Sequence, residues 1–194
     1  MKIFILPSSY PSETNSTKQI FVYEQAKVLA EKGYDIVVLH VEKLPSNQIL
    51  KKVDQEIRVV DDGFCKRYTV YQKTFCAERF LKKDRKDFVR SMKKLFEKAL
   101  RYEGKPDLLY AHFSCWAGLA ATEISKMYNI PLIVMEHFGG LLSSNVKEEY
   151  KSAVIKCVSN SKKFLCVSEN LKNAVTKIVG NSENISVVDR KSVV

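Results

Sequence analysis

Residues 107–138 read DLLYAHFSCWAGLAATEISKMYNIPLIVMEHF. The apolar run DLLYA predicts a buried strand that ends on His112. A helix follows from about Cys115 to Tyr128, and a second buried strand, PLIVM, runs into Glu136 and His137. The same device occurs twice: an apolar strand whose carboxyl end delivers an imidazole. In an open parallel α/β sheet, ligands bind beyond the carboxyl ends of the strands. Two of the three histidines therefore stand where a site is expected.

Alternation continues in both directions. Lys2 to Leu6 predicts a strand, and Pro7 to Gln19 a polar loop rich in Ser, Pro, Thr and Asn. Ile20 to Lys32 predicts a helix: Val22, Ala26, Leu29 and Ala30 share one face, and Gly33 closes it. Asp35 to Val41 is a β-branched strand. Two further strands, Glu56 to Val60 and Arg67 to Tyr71, flank Asp61-Asp62-Gly63. A long helix runs from Glu78 to about Tyr102. Beyond His137 come a helix near Val146 to Ser159, the strand KFLCV, a helix near Ser168 to Val179 and the strand ISVV. Alternating strands and helices predict βαβ units with right-handed crossovers. The fold class is α/β: a Rossmann-like, doubly wound, mostly parallel sheet.

Composition fits one globular domain with a full core. The charge is lopsided, 32 Lys+Arg against 22 Asp+Glu, for a net of +10. That balance favours anionic partners: phosphate groups, anionic lipid or nucleic acid. The cysteines are Cys65, Cys76, Cys115, Cys157 and Cys166. Their odd number and the lack of any C-x-x-C spacing imply reduced thiols in a cytosolic protein. MKIFIL opens like a signal peptide, but Pro7 and the polar residues after it stop the apolar run. No run reaches the roughly 18 apolar residues of a membrane span.

No two glycines are spaced as G-x-G, and the loop PSSYPSETNSTKQ after the first strand has none. The dinucleotide fingerprint and the P-loop lysine are both missing, which argues against NAD, FAD and P-loop chemistry.

Four segments carry a resemblance. ILPSSYPSETNSTKQIFVYEQAKVLAEKGYDIVVL resembles an opening strand, an acceptor loop and a helix of the pattern F-x-x-x-Q-A-x-x-L-x-x-x-G-H. KPDLLYAHFSCWAGLAA resembles a P-D-x-x-H-x-H strand and its helix. NIPLIVMEHFGGL resembles P-x-V-x-x-x-H, and FLCVSENLKNAV resembles a V-S strand followed by a helix with Leu. In this order they resemble the N-terminal, acceptor-side domain of a family 4 glycosyltransferase of the two-domain GT-B fold. Members often carry a glycine just before the Phe of the first helix, where backbone nears a ligand. Here Ser16, Thr17 and Lys18 stand there instead.

The resemblance implies that residues 1–188 form the Rossmann-like acceptor-binding domain, with 189–194 a tail where a second domain would begin. In the family, the C-terminal domain holds the nucleotide sugar with two Glu eight positions apart and a basic residue on the diphosphate. No two Glu of this chain are eight apart. The donor half is therefore expected to be absent, by truncation or because the protein is split, and the chain alone is expected to be inactive. The implied whole enzyme retains anomeric configuration. It uses a nucleotide diphosphate sugar, without metal or cofactor, to glycosylate a polysaccharide or lipid-linked acceptor in cell-surface glycan synthesis. The expected location is cytoplasmic, peripheral at the inner face of the membrane.

By this resemblance His137 meets the donor sugar as the catalytic residue; the competing reading is a strand-end His bonded to a carbonyl. Ser8, Ser9, Tyr10, Ser16, Thr17, Lys18 and His112 fall on the acceptor side, although His112 also suits packing under the next helix. Gly139 and Gly140 suit a nest of N–H groups facing the donor, or an ordinary turn. Glu169 is a donor-side candidate, while Ser168 reads equally as a plain helix N-cap. His40 reads as structural, and the three His show no metal spacing.

The helix from Glu78 to Arg101 carries ten Lys/Arg against four Asp/Glu. Phe80, Leu81, Phe88, Met92, Leu95, Phe96 and Ala99 recur at helical spacing. A core-facing helix with a solvated basic face explains this pattern. A sharper reading is contact with anionic membrane, at about 1 kcal/mol per basic residue near the surface. Two rivals stand beside the glycosyltransferase reading: an inactive truncated stub, and a basic α/β module that binds nucleic acid. The second lacks exposed aromatics interleaved with Lys/Arg, so no nucleic acid is expected.

Overall fold

The computed structural model describes residues 1–12, 16–44, 56–75, 80–180 and 183–188. In chain order the elements are β1 (Lys2–Pro7), α1 (Ile20–Glu31), β2 (Asp35–Leu44), β3 (Arg58–Asp61), β4 (Lys66–Lys73), α2 (Leu81–Glu103) and β5 (Leu108–His112). A π-helical turn (Ser114–Gly118) then leads into α3 (Leu119–Tyr128) and β6 (Leu132–Glu136). A 3-10 turn (Gly139–Leu142), α4 (Glu148–Val158), β7 (Lys163–Cys166), α5 (Glu169–Val179) and β8 (Ile185–Val187) complete the order. The expected tail at 189–194 and Cys76 lie outside the described residues, as do the first residues of the predicted long helix.

The eight strands form one sheet in the order β3-β4-β2-β1-β5-β6-β7-β8. Every pairing is parallel except β3 with β4, a hairpin closed by the predicted Asp-Asp-Gly turn. The α/β doubly wound expectation therefore holds. Period-2 alternation divides the core. Phe4, Leu6, Val37 and Leu39 pack with Phe88, Met92, Leu95 and Phe96 of α2, and α3, α4 and α5 extend this layer. Ile3, Ile5, Ile36 and Val38 face the other way, against Val22 and Ala26 of α1. Each large apolar side chain so buried contributes about 1.5–3 kcal/mol, so packing rather than propensity holds the basic helix α2.

Two local departures from the sequence reading have physical causes. β2 runs three residues past Val41 because Glu42, Lys43 and Leu44 pair with Tyr71, Gln72 and Lys73 of β4. The helix expected from Cys115 opens with a π turn instead. The Ala117 N–H donates to Ser8 Oγ at 3.1 Å, and the Gly118 N–H reaches back five residues to the Phe113 carbonyl at 2.9 Å. One residue is thereby inserted into the first turn, the local geometry of a π-bulge.

The chain leaves β1 for β2 on one side, and β5 occupies the other side. The strand order reverses between β1 and β5, which is where an open α/β sheet forms its crevice. Pro7 of β1 stands level with His112 of β5 in the register.

Candidate active site at the carboxyl edge of the sheet

His112 ends β5 and His137 follows β6, the neighbouring strand, so both imidazoles reach the same edge. His112 Nδ1 lies 3.1 Å from His137 Nε2, with the rings 22° from parallel. His112 is fully buried, and its Nε2 has no hydrogen-bond partner among the described residues. Burial, reinforced by the adjacent His137, holds His112 well below the ordinary histidine range. It is therefore neutral at pH 7, and the two rings share a single proton across their contact. His137 is half-buried. The rings of Phe21 (4.6 Å) and Phe113 (5.0 Å) pack against it.

Glu136 is buried between these elements, and its carboxylate gathers four donors. Oε2 accepts from the Ser114 N–H at 3.0 Å and from Ser114 Oγ; Oε1 accepts from the His137 and Phe138 N–H groups, both at 2.9 Å. A carboxylate at the start of a helical segment also meets the positive end of its dipole. One side chain thus caps the segment after β5 and fixes the backbone of His137. The sequence signal for it was an acidic residue closing an otherwise apolar strand.

Ser8 performs the matching task at β1. Its Oγ donates to the His112 carbonyl at 3.0 Å and accepts from Ala117. Ser9 and Tyr10 are buried as well, Tyr10 against Tyr23 and His40. The root of the predicted acceptor loop is thus part of the core. Ser16 and Thr17 are exposed, and Lys18 is half-buried. Gln19 adopts a left-handed conformation at φ 51° just before α1, so the chain makes its sharp entry without a glycine. Gly139 and Gly140 are exposed at the start of the 3-10 turn. A Cβ on Gly140 would sit 2.3 Å from the Phe138 ring, which explains the glycine without a ligand. Glu169 is exposed in the first turn of α5, and Ser168 Oγ accepts from the Leu171 N–H at 3.2 Å as an N-cap. His40 is buried in β2 with its Nε2 3.1 Å from Glu42.

A cavity of about 190 Å³ lies beside the His pair. Phe113 belongs to both, and Gln19, Lys43, Trp116, Phe138 and Tyr150 line it further. The sequence reading passed over these residues; Trp116, the one tryptophan, was the available signal. Phe113 holds φ 71°, rare for a bulky side chain. Cys115 also lines the cavity, where burial pushes its thiol up to about 11. It is no thiolate nucleophile. Among the described residues no three His, Cys, Asp or Glu are grouped to hold a metal ion, and no helix is long and apolar enough to cross a membrane.

The sequence profile of Glycosyltransferase Family 4 matches residues 19–190. The chain belongs to Glycosyltransferase Family 4. It is a glycosyltransferase by family. Among curated proteins none matches it. Solved structures share the fold at low identity. A sucrose-phosphate synthase structure from Thermosynechococcus elongatus superposes with a TM-score of 0.67 at 12% identity, over 97% of this chain and 88% of that one. An E. coli trehalose-6-phosphate structure bound with UDP-2-fluoro glucose gives 0.62 at 12%, over 96% and 48%. UDP-GlcNAc 2-epimerase from Methanocaldococcus jannaschii gives 0.57 at 14%, over 97% and 45%. This family 4 chain thus spans about half the length of the last two. An epimerase among them shows that the fold alone does not choose the reaction; the family match does.

Proposed function

We propose that this chain is the acceptor-side domain of a retaining GT-B glycosyltransferase. The complete enzyme passes a sugar from a nucleotide diphosphate sugar to a polysaccharide or lipid-linked acceptor, in cytoplasmic synthesis of cell-surface glycan. The observation that carries this reading is the convergence of His112 and His137 at the strand-order reversal of a family 4 domain. The UDP-2-fluoro glucose held by the E. coli structure supports a nucleotide sugar as donor.

In this account His137 faces the donor sugar, with Gly139, Gly140 and Glu169 further along the same edge. Ser16, Thr17 and Lys18 meet the acceptor, and Ser8, Ser9, Tyr10 and His112 hold the floor beneath. A second domain supplies the groups that neutralise the departing diphosphate, and no metal is required. The exposed basic face of α2, including Lys82, Lys83, Lys86 and Lys94, rests on anionic membrane.

Transfer from a panel of nucleotide diphosphate sugars tests the reading. The purified chain alone should stay at background. With a family 4 donor domain joined to it, the product should keep the donor's anomeric configuration by NMR. Robust transfer by the chain alone, or an inverted product, would overturn it.

A further inference from the structure

The cavity beside Phe113 has the chemistry of a sugar subsite with a charge requirement. Resting on the glycosyltransferase reading above, we propose that it takes one ring of the acceptor, and that this ring carries an anionic group. Three features of the wall point to this. Lys43 Nζ lies 4.4 Å from the centre of the Trp116 ring and 5.7 Å from that of Phe88, so a cation is held on an aromatic surface at the cavity. Gln19 presents a buried Oε1 that has no hydrogen-bond partner among the described residues. An unmet buried acceptor costs about 1–3 kcal/mol, and a sugar hydroxyl supplies the missing donor. Trp116 and the stacked pair Phe138–Tyr150, with centroids 4.9 Å apart, add apolar faces suited to the C–H surface of a pyranose.

The one carboxylate among the described wall residues, Glu136, is turned toward its own backbone donors, so an anion must sit nearer to Lys43 than to it. The oxygens of Glu136 are committed to Ser114, His137 and Phe138. Among the described residues that line it, Lys43 is the only cationic side chain. The volume of about 190 Å³ equals about six waters at roughly 30 Å³ each, room for one ring with the rest of an acceptor outside. Backbone strain marks the same place. Of the three non-glycine residues with positive φ among the described residues, Gln19 and Phe113 line the cavity, while Asn129 is an ordinary helix C-cap.

Trp116 is the only tryptophan, so fluorescence excited selectively at tryptophan reports on this cavity. The chain is titrated with glucuronate, glucose 6-phosphate, glucose and inorganic phosphate. A saturable change with at least one anionic hexose is expected, at a concentration at least tenfold below that for glucose, with no saturation by phosphate in that range. Comparing the two anionic sugars tells a carboxylate site from a phosphate site. Lys43→Gln should weaken binding at least tenfold, about 1.4 kcal/mol, and Gln19→Ala several-fold. Should Lys43→Gln lower the melting temperature, the wild-type titration is repeated at rising salt, where affinity must fall. No response, equal response to glucose, saturation by inorganic phosphate alone, an undiminished Lys43→Gln or salt-independent affinity would each overturn the proposal. Binding is read without turnover, so its failure leaves the transfer and anomer assays standing, whereas their failure would leave an anionic-sugar site without its assignment to the acceptor.

Discussion

His112 Nδ1 and His137 Nε2 meet at 3.1 Å, joining the ends of two adjacent parallel strands through one shared proton. Burial keeps His112 uncharged, and the contact holds the His137 ring in one orientation. The contact places a half-exposed imidazole on a rigid floor, the arrangement that the proposed role of His137 needs.

Acid should destabilise this domain well before its carboxylates titrate. The folded-state affinities of His112 and His40 for a proton are depressed, chiefly by burial, from an ordinary value of 6.5. The unfolded chain then binds more protons than the folded one as pH falls through about 6.5, so stability is full above that pH and is lost below it. Each buried histidine contributes a slope of about 1.4 kcal/mol per pH unit once its unfolded form is charged. Urea midpoints should therefore fall between pH 7 and pH 5, and His112→Asn should flatten part of that fall. A midpoint constant over this range would contradict the buried, neutral pair.

Glu136→Ala should cost at least about 1–3 kcal/mol, because it strands the buried N–H of Ser114, and the half-buried N–H groups of His137 and Phe138 add a smaller loss. Glu136→Gln keeps the shape, turns one oxygen into a donor and should cost less. Denaturant unfolding of the two variants measures both. Near-neutral Glu136→Ala would show that the carboxylate does not organise the edge.

On membranes, the structure narrows which lysines matter. Lys82, Lys83 and Lys94 are exposed, whereas Lys93 is only 30% exposed and pairs with Glu123 at 2.8 Å. Binding to anionic vesicles should be weak and should fade as salt shortens the electrostatic reach to about 8 Å at physiological ionic strength. Lys82→Glu, Lys83→Glu and Lys94→Glu together should abolish flotation with those vesicles and lower the melting temperature only slightly, through loss of the surface pair of Lys83 with Asp87 at 2.7 Å. Flotation unaffected by these changes would reduce the patch to solvated surface.

The strands were legible in sequence because both sheet faces are buried, which makes each strand a short apolar run. The meeting of His112 and His137 was legible because parallel strands carry their carboxyl ends to one edge. The π turn was not, since it depends on Ser8, more than a hundred residues away, drawing the Ala117 N–H out of the helix. The cavity escaped for the same reason. Gln19, Lys43, Trp116 and Tyr150 come from four separated segments, and only the fold makes them neighbours. Asp84 reads as one acid in a basic helix, yet it is buried and accepts from the Phe75 N–H at 3.1 Å.

The most direct test of the account is the turnover of His137→Ala in an enzyme that carries both domains, compared with wild type at saturating donor and acceptor. A preorganised group facing the developing charge is worth about 10²–10³ in kcat. The account predicts a loss of that size with the acceptor KM little changed and the fold intact. A kcat within a few-fold of wild type would place the chemistry elsewhere and contradict it.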